Sequence, residues 1–182
     1  MSSHFQPVEL LPPDAIFDLT DSYKQDDFNL KINVGVGAYR TDDGNPCVLN
    51  VVRKAEKLIL DEQVDHEYLP IPGYPAFRKA VVKLAVGQDN DRFAVVQSIS
   101  GTGALRIGAE FIKNLYPNTT VYISKPTWSN HRQIFEAATL NVAEYRYYDP
   151  KTRGLAFDGY LHDVLNAPNG SVFVLHACAH NP

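Results

Sequence analysis

The stretch SISGTGALRIG, residues 98–108, decides how this chain is read. An apolar run, FAVVQSIS (93–100), leads into it, and ALRIGAEFIKNLY (104–116) continues from it with helical spacing. The first is expected to be a buried strand, the second a helix that Pro117 helps to stop. Ser100, Gly101, Thr102 and Gly103 sit at the break. The first turn of a helix has backbone N–H groups without partners and carries partial positive charge. Two glycines let that backbone approach an anion closely, and two hydroxyls add donors, so a phosphate group is well solvated there. An ordinary tight turn with an N-cap uses the same residue types, and spacing alone leaves both readings open. The stretch is not a Walker loop, since no Gly-Lys-Ser/Thr follows. It is not a full G-x-G-x-x-G fingerprint either, because Arg106 stands where the last glycine belongs.

Outward from this break, strands and helices alternate. Residues 1–30 read as an extended arm, with Pro7, Pro12 and Pro13 opposing regular structure. LKINVGVGAYR (30–40) begins strand-like and ends in two glycines. NVVRKAEKLILDEQ (50–63) has helical periodicity, HEYLPIPGYP (66–75) is a proline-punctuated loop, and AFRKAVVKLAVG (76–87) is a helix that Gly87 suits as a terminus. Further strands are expected at 120–124, 142–149 and 171–180, with helices at 129–139 and 158–167. Such alternation predicts an α/β fold, a mainly parallel sheet flanked by helices on both faces. Ligands of such sheets bind beyond the carboxyl ends of the strands.

Composition narrows the function. Of 182 residues, 45% are hydrophobic and 21% charged, which suits a globular core. A net charge of -4 argues against a nucleic-acid partner. No apolar run approaches the ~20 residues of a membrane span. The first residues resemble neither a secretory signal nor a mitochondrial presequence, so a cytoplasmic location is expected. Cys47 and Cys178 lie far apart in no metal-like spacing and read as reduced thiols.

Several residues point toward the same strand ends. Trp128, in PTWSNH (126–131), can offer a flat face to an aromatic ligand or can simply fill the core. His131 is close enough in sequence to share its helix face. Asn181 follows the last strand with an amide that both donates and accepts, or serves as a turn residue. His176 and His180, four apart on an expected strand, fall on one face but far from each other, which argues against a metal pair. A free N–H at Gly37 can meet a carboxylate, unless Gly35 and Gly37 only ease a bend.

INVGVGAYRTDDG, HEYLPIPG, SGTGALRIGAEF, PTWSNH and LHACAHNP, taken together, closely resemble the aspartate aminotransferases, class I aminotransferases of fold type I that use pyridoxal 5'-phosphate. The resemblance runs from about Ile16 to the last residue and covers somewhat under half of the usual family chain. It implies an incomplete large domain over 46–182, a segment of the small domain and substrate entrance over 31–45, and an N-terminal arm over 1–30 that embraces a neighbouring subunit of a homodimer. By the same resemblance Ser100, Gly101 and Thr102 bind the cofactor phosphate. Trp128 stacks on the pyridine ring and borders the substrate. Asn181 hydrogen-bonds the ring's 3-oxygen and borders the substrate too. Gly37 meets the substrate α-carboxylate, and Tyr68 reaches the partner subunit's cofactor phosphate. His131 supports the aspartate that faces the pyridine nitrogen, and Ile16 and Phe17 lie near the substrate entrance.

The family's cofactor-bearing lysine, ring-nitrogen aspartate, ring-oxygen tyrosine and two substrate arginines match nothing within these residues. No catalytic residue is therefore assigned to the chain, and inactivity is expected of it alone. Two readings of its role follow: a portion of an aspartate:2-oxoglutarate aminotransferase, or a short non-catalytic form that associates with a full-length subunit. A dinucleotide-binding oxidoreductase would need an acidic residue ~20 positions after the glycines, where YISKPTW (122–128) carries none.

Overall fold

The computed structural model describes residues 8, 15–35, 37–87 and 92–181, with side chains described from residue 18 onward besides Val8. The chain forms two compact units, Met1–His66 and Glu67–Pro182.

In the first unit, helix α1 (Ala15–Gln25) occupies part of what the sequence suggests is an extended arm. Pro7, Pro12 and Pro13 all precede it and lie outside the described residues. From Ala15 on neither proline nor glycine interrupts, and Asp18 near the start and Lys24 near the end complement the helix dipole. The Lys31 ammonium folds back on α1, donating to the carbonyls of Tyr23 and Asp26 and sitting 4.5 Å over the Tyr23 ring. The strand expected to begin at residue 30 does not form among the described residues. Leu30, Ile32 and Val34 alternate as a strand requires, yet all three are exposed and no ladder partner faces them. A tight turn follows, closed by Thr41 N–H to the Asn45 carbonyl (2.9 Å) with Gly44 at φ 77°. Helix α2 (Asn50–Asp61) matches its periodicity but buries no side chain.

In the second unit, helix α3 (Pro75–Val86) starts on proline and ends on Gly87 in the left-handed conformation, whose N–H meets the Lys83 carbonyl. The expected strand at 93–100 is not one. The backbone from 93 to 98 has no regular structure, the Gln97 N–H donates to the Pro72 carbonyl rather than to a sheet, and Val96 and Ile99 are exposed. Helix α4 (Ser100–Leu115) begins four residues earlier than its apolar periodicity suggests. The chain turns at 117–118 and enters strand β1 (Thr120–Lys125), and Ala109 of α4 packs into the core beside it. Helix α5 (Asn130–Ala137) and strand β2 (Asn141–Arg146) follow. Strands β3 (Tyr148–Asp149) and β4 (Gly154–Leu155) form a small antiparallel hairpin where one continuous strand to residue 149 was expected. Helix α6 (Phe157–Asn166) returns to strand β5 (Val172–Phe173), much shorter than the expected 171–180.

The main sheet has the order β2–β1–β5, all parallel, with Val121 opposite Val142 and Val172. One face carries the core: Val121 and Ile123 pack with Ala109 of α4 and with Ile134, Phe135, Ala138 and Leu140. On the other, Tyr122 stacks on Phe173 at 4.9 Å and Tyr145 meets Tyr160 of α6 edge-on. The Asp163 carboxylate takes both the backbone N–H (2.8 Å) and the guanidinium of Arg146, pinning α6 beside β2. Helices thus cover both faces of a parallel sheet, as parallel strands require.

Candidate functional site

The first bond of the α4 ladder runs from the Gly103 N–H to the Ile99 carbonyl at 3.1 Å. The N–H groups of Ser100, Gly101 and Thr102 precede it, and no side chain caps the helix. A Cβ added at Gly101 would meet nothing within 4 Å, so the space before this turn is open. Ser100, Gly101 and Thr102 are exposed, and Ser100 holds φ 54°, a left-handed conformation that non-glycine residues adopt at a cost. Three donors without a partner among the described residues, a helix dipole and a hydroxyl-bearing edge form a donor set suited to a phosphate ester.

A second group of residues lies beyond the carboxyl ends of β1 and β5. The Lys125–Pro126 bond is cis, and the chain passes Thr127 and Trp128 before entering α5. Trp128 is half-buried, packs against the core and meets the His131 ring edge-on, with centroids 5.3 Å apart. His131 is buried and meets His176 edge-on at 5.2 Å. His176 stacks on His180 at 4.2 Å, and His180 stacks on Tyr147 at 4.3 Å. The separation expected of the two histidines is thus reversed. After Val174, whose N–H reaches the Tyr122 carbonyl, the chain bends through 177–179, with Ala179 at φ 45°, and folds one imidazole over the other. Among the described residues no cluster of three His, Cys, Asp or Glu is placed to hold a metal ion.

One hydrogen bond fixes a tautomer. The Asn181 backbone N–H donates to His176 Nδ1 at 3.1 Å, so that nitrogen is an acceptor and the neutral ring carries its proton on Nε2. His176 Nε2 then faces Thr127 Oγ1 (3.4 Å) as a donor, and the same hydroxyl shares a hydrogen bond with His131 Nδ1 (2.7 Å) whose direction follows the His131 tautomer. His180 Nε2 lies 3.0 Å from Oγ of the buried Ser124. Burial, and after it the neighbouring His176 and His180 rings, hold His131 below the usual histidine range. Burial and then His176 do the same to His180.

The fold therefore links Trp128, His131 and Asn181 through one chain of contacts. Ser124, Thr127, Tyr147 and the two stacked histidines complete that chain, a role absent from the sequence reading. The small residues Ala177, Cys178 and Ala179, which permit the bend, are the only signal residue order offers. Tyr68 is fully exposed on its loop. Gly37 lies in the first unit, where an added Cβ would meet nothing within 4 Å. Ile16 and Phe17 lie in α1, and their side chains are outside the described residues.

A parallel sheet flanked by helices, with an open glycine turn starting one helix and an indole beyond a strand end, defines a fold type I architecture. The model of the family "Aminotransferase class I and II" matches residues 29–182, and the chain belongs to that family. Pyridoxal phosphate is the cofactor of this class. The mitochondrial aspartate aminotransferase of Schizosaccharomyces pombe is 51% identical over 179 residues, spanning 96% of this chain and 41% of that protein. The cytoplasmic aspartate aminotransferase of Oryza sativa subsp. japonica is 49% identical over 187 residues, spanning 100% of this chain and 46% of that protein. Among solved structures, the aromatic-amino-acid aminotransferase of Burkholderia pseudomallei, covalently bound to pyridoxal phosphate, superposes with a TM-score of 0.92 at 42% identity, over 100% of this chain and 47% of its own. The chain thus spans under half the length of the relatives it matches.

Proposed function

We propose that residues 1–182 are the amino-terminal portion of a cytoplasmic, homodimeric aspartate aminotransferase that moves an amino group between L-aspartate and 2-oxoglutarate. The observation that carries this reading is the row of N–H groups at Ser100, Gly101 and Thr102, without a partner among the described residues and open to space beside Gly101. A doubly charged phosphate ester matches those donors in charge and number. When bound, pyridoxal phosphate supplies an electron sink that acidifies the Cα proton of an amino acid.

The chain's own residues hold and shape. The three amides and the Ser100 and Thr102 hydroxyls bind the phosphate. Trp128 covers one face of the heterocycle and excludes water from it. The Asn181 side-chain amide donates to the 3-oxygen of the ring, and Trp128 and Asn181 together border the substrate. His131 supports the group that faces the ring nitrogen. The Gly37 N–H receives the substrate α-carboxylate, and Tyr68, exposed here, extends to the cofactor phosphate of a second subunit. The arm, 1–30, wraps that subunit, 31–45 belongs to the substrate entrance, and 46–182 to the cofactor-binding domain. None of these residues moves the Cα proton, so the chain is inactive by itself.

Two measurements test the reading. Purified 1–182 gives no turnover of aspartate with 2-oxoglutarate, whereas the whole protein does. In the whole protein Trp128→Ala weakens cofactor binding roughly tenfold, the loss expected of one aromatic stacking contact, and slows turnover. Unchanged affinity and rate would remove Trp128 from the site, and turnover by 1–182 would place proton-transfer chemistry inside it.

A further inference from the structure

The segment 174–181 presents a problem of support. It leaves the sheet after the Val174 N–H, it bends at Ala179, and no ladder bond continues along it. Asn181 nevertheless has to stand at a defined place if its amide is to meet a ligand. Its backbone N–H has one described partner, Nδ1 of His176. That ring is held in turn by the stack on His180 (4.2 Å, planes 20° apart) and by Thr127. His180 is clamped from its other face by Tyr147 (4.3 Å, 10°) and along its edge by Ser124.

We propose that His176 is a positioning residue for Asn181, and that it positions Asn181 only while it is neutral, because the protonated ring has no lone pair on Nδ1 to accept the Asn181 N–H. An imidazolium presents N–H groups at both nitrogens, so protonation turns the contact from donor–acceptor to donor–donor. The stack couples the two rings with negative cooperativity, since a charge on either ring opposes a charge on the other across 4.2 Å. Uncharged groups surround the cluster. His131 from α5, Thr127 from the loop after β1, Ser124 from β1, and Tyr147 after β2 face the cluster. Among the described residues no carboxylate pairs with any of the three rings to stabilise a charged form. Burial already holds His131 and His180 below the usual range.

This inference rests on the proposed role of Asn181 only for its consequence, not for its geometry, and the experiment separates the two. The whole protein, labelled with 15N-asparagine, is followed by NMR between about pH 8 and about pH 5, the interval in which imidazoles titrate. The Asn181 backbone amide is expected to shift with the ring C–H signals of His176. His176→Gln, which keeps an acceptor but no titrating proton, is expected to abolish that shift. His176→Phe, which keeps a flat ring but no acceptor, is expected to displace the amide signal at every pH. If His176→Phe fails to fold, the parent titration and the Gln variant decide. An Asn181 amide indifferent to pH in the parent, or still pH-dependent in His176→Gln, overturns the inference. Affinity for pyridoxal phosphate is measured alongside. A several-fold loss in His176→Phe that His176→Gln restores supports the inference and the cofactor reading together. An amide that follows His176 with affinity unchanged in both variants keeps the inference and refutes the cofactor role of Asn181.

Discussion

A Cβ added at Gly101 meets open space, whereas one added at Gly73 falls 2.2 Å from Gln97 Cβ with the backbone at φ 95°. The two glycines therefore separate function from structure. Gly101→Ala is expected to leave stability within about 1 kcal/mol, since alanine favours the helix, while weakening pyridoxal phosphate binding by occupying the approach to the amides. Gly73→Ala is expected to cost at least about 2 kcal/mol from strain and overlap. Urea midpoints and cofactor titrations on the whole protein read both. The histidines give a pH dependence of definite sign. Folding depresses His131 and His180 below the ordinary value of about 6.5. Just beneath that value the unfolded chain binds more protons than the fold, so stability rises with pH there. Full stability is expected above about pH 6.5 and a progressive loss below it. The check is a urea midpoint lower at about pH 5.5 than at about pH 7.5, with a smaller difference in His180→Phe. Opposite or equal midpoints would contradict the sign.

The helices of this chain follow from periodicity and punctuation: α2, α3, α5 and α6 lie where apolar spacing puts them, and Gly87 ends α3 as a left-handed cap should. The strands were harder to read. The stretches 30–40 and 93–100 carry good strand residues and form no strand, because a strand is a ladder and these have only isolated links, Arg40 bridging Pro46 and Gln97 bonding the Pro72 carbonyl. Burial separates helices that look alike in sequence. On α5, Ile134 and Phe135 are 8% and 3% exposed, whereas α2 buries nothing. Phe135→Ala is expected to cost about 3–5 kcal/mol, and Leu60→Ala in 1–182 to stay within about 0.5 kcal/mol. Chemical denaturation of both variants tests the contrast. A large loss at Leu60 would mean that α2 packs against something.

Across the whole molecule, large apolar side chains stand exposed in both units, among them Ile32, Leu60, Ile71, Leu84 and Ile99. Large apolar side chains left in water favour association. Purified 1–182 is expected to bind a hydrophobic dye and to associate with rising concentration, measured by fluorescence and sedimentation; a monomer that binds no dye would show that this surface is otherwise covered. Among the described residues no helix is long and apolar enough to cross a membrane. Residue order alone carried the helices, the anion-ready turn at 100–102 and the family, because helical periodicity, glycine freedom and an unpartnered first turn are local properties. It did not carry the imidazole stack, the hydrogen-bonded path from Asn181 through His176 and Thr127 to His131, or the clamp of His180 between two rings. Those depend on β1 and β5 lying side by side and on a bend that reverses the chain. Contacts spanning up to 56 residues, as between Ser124 and His180, exist only once the sheet has closed that distance.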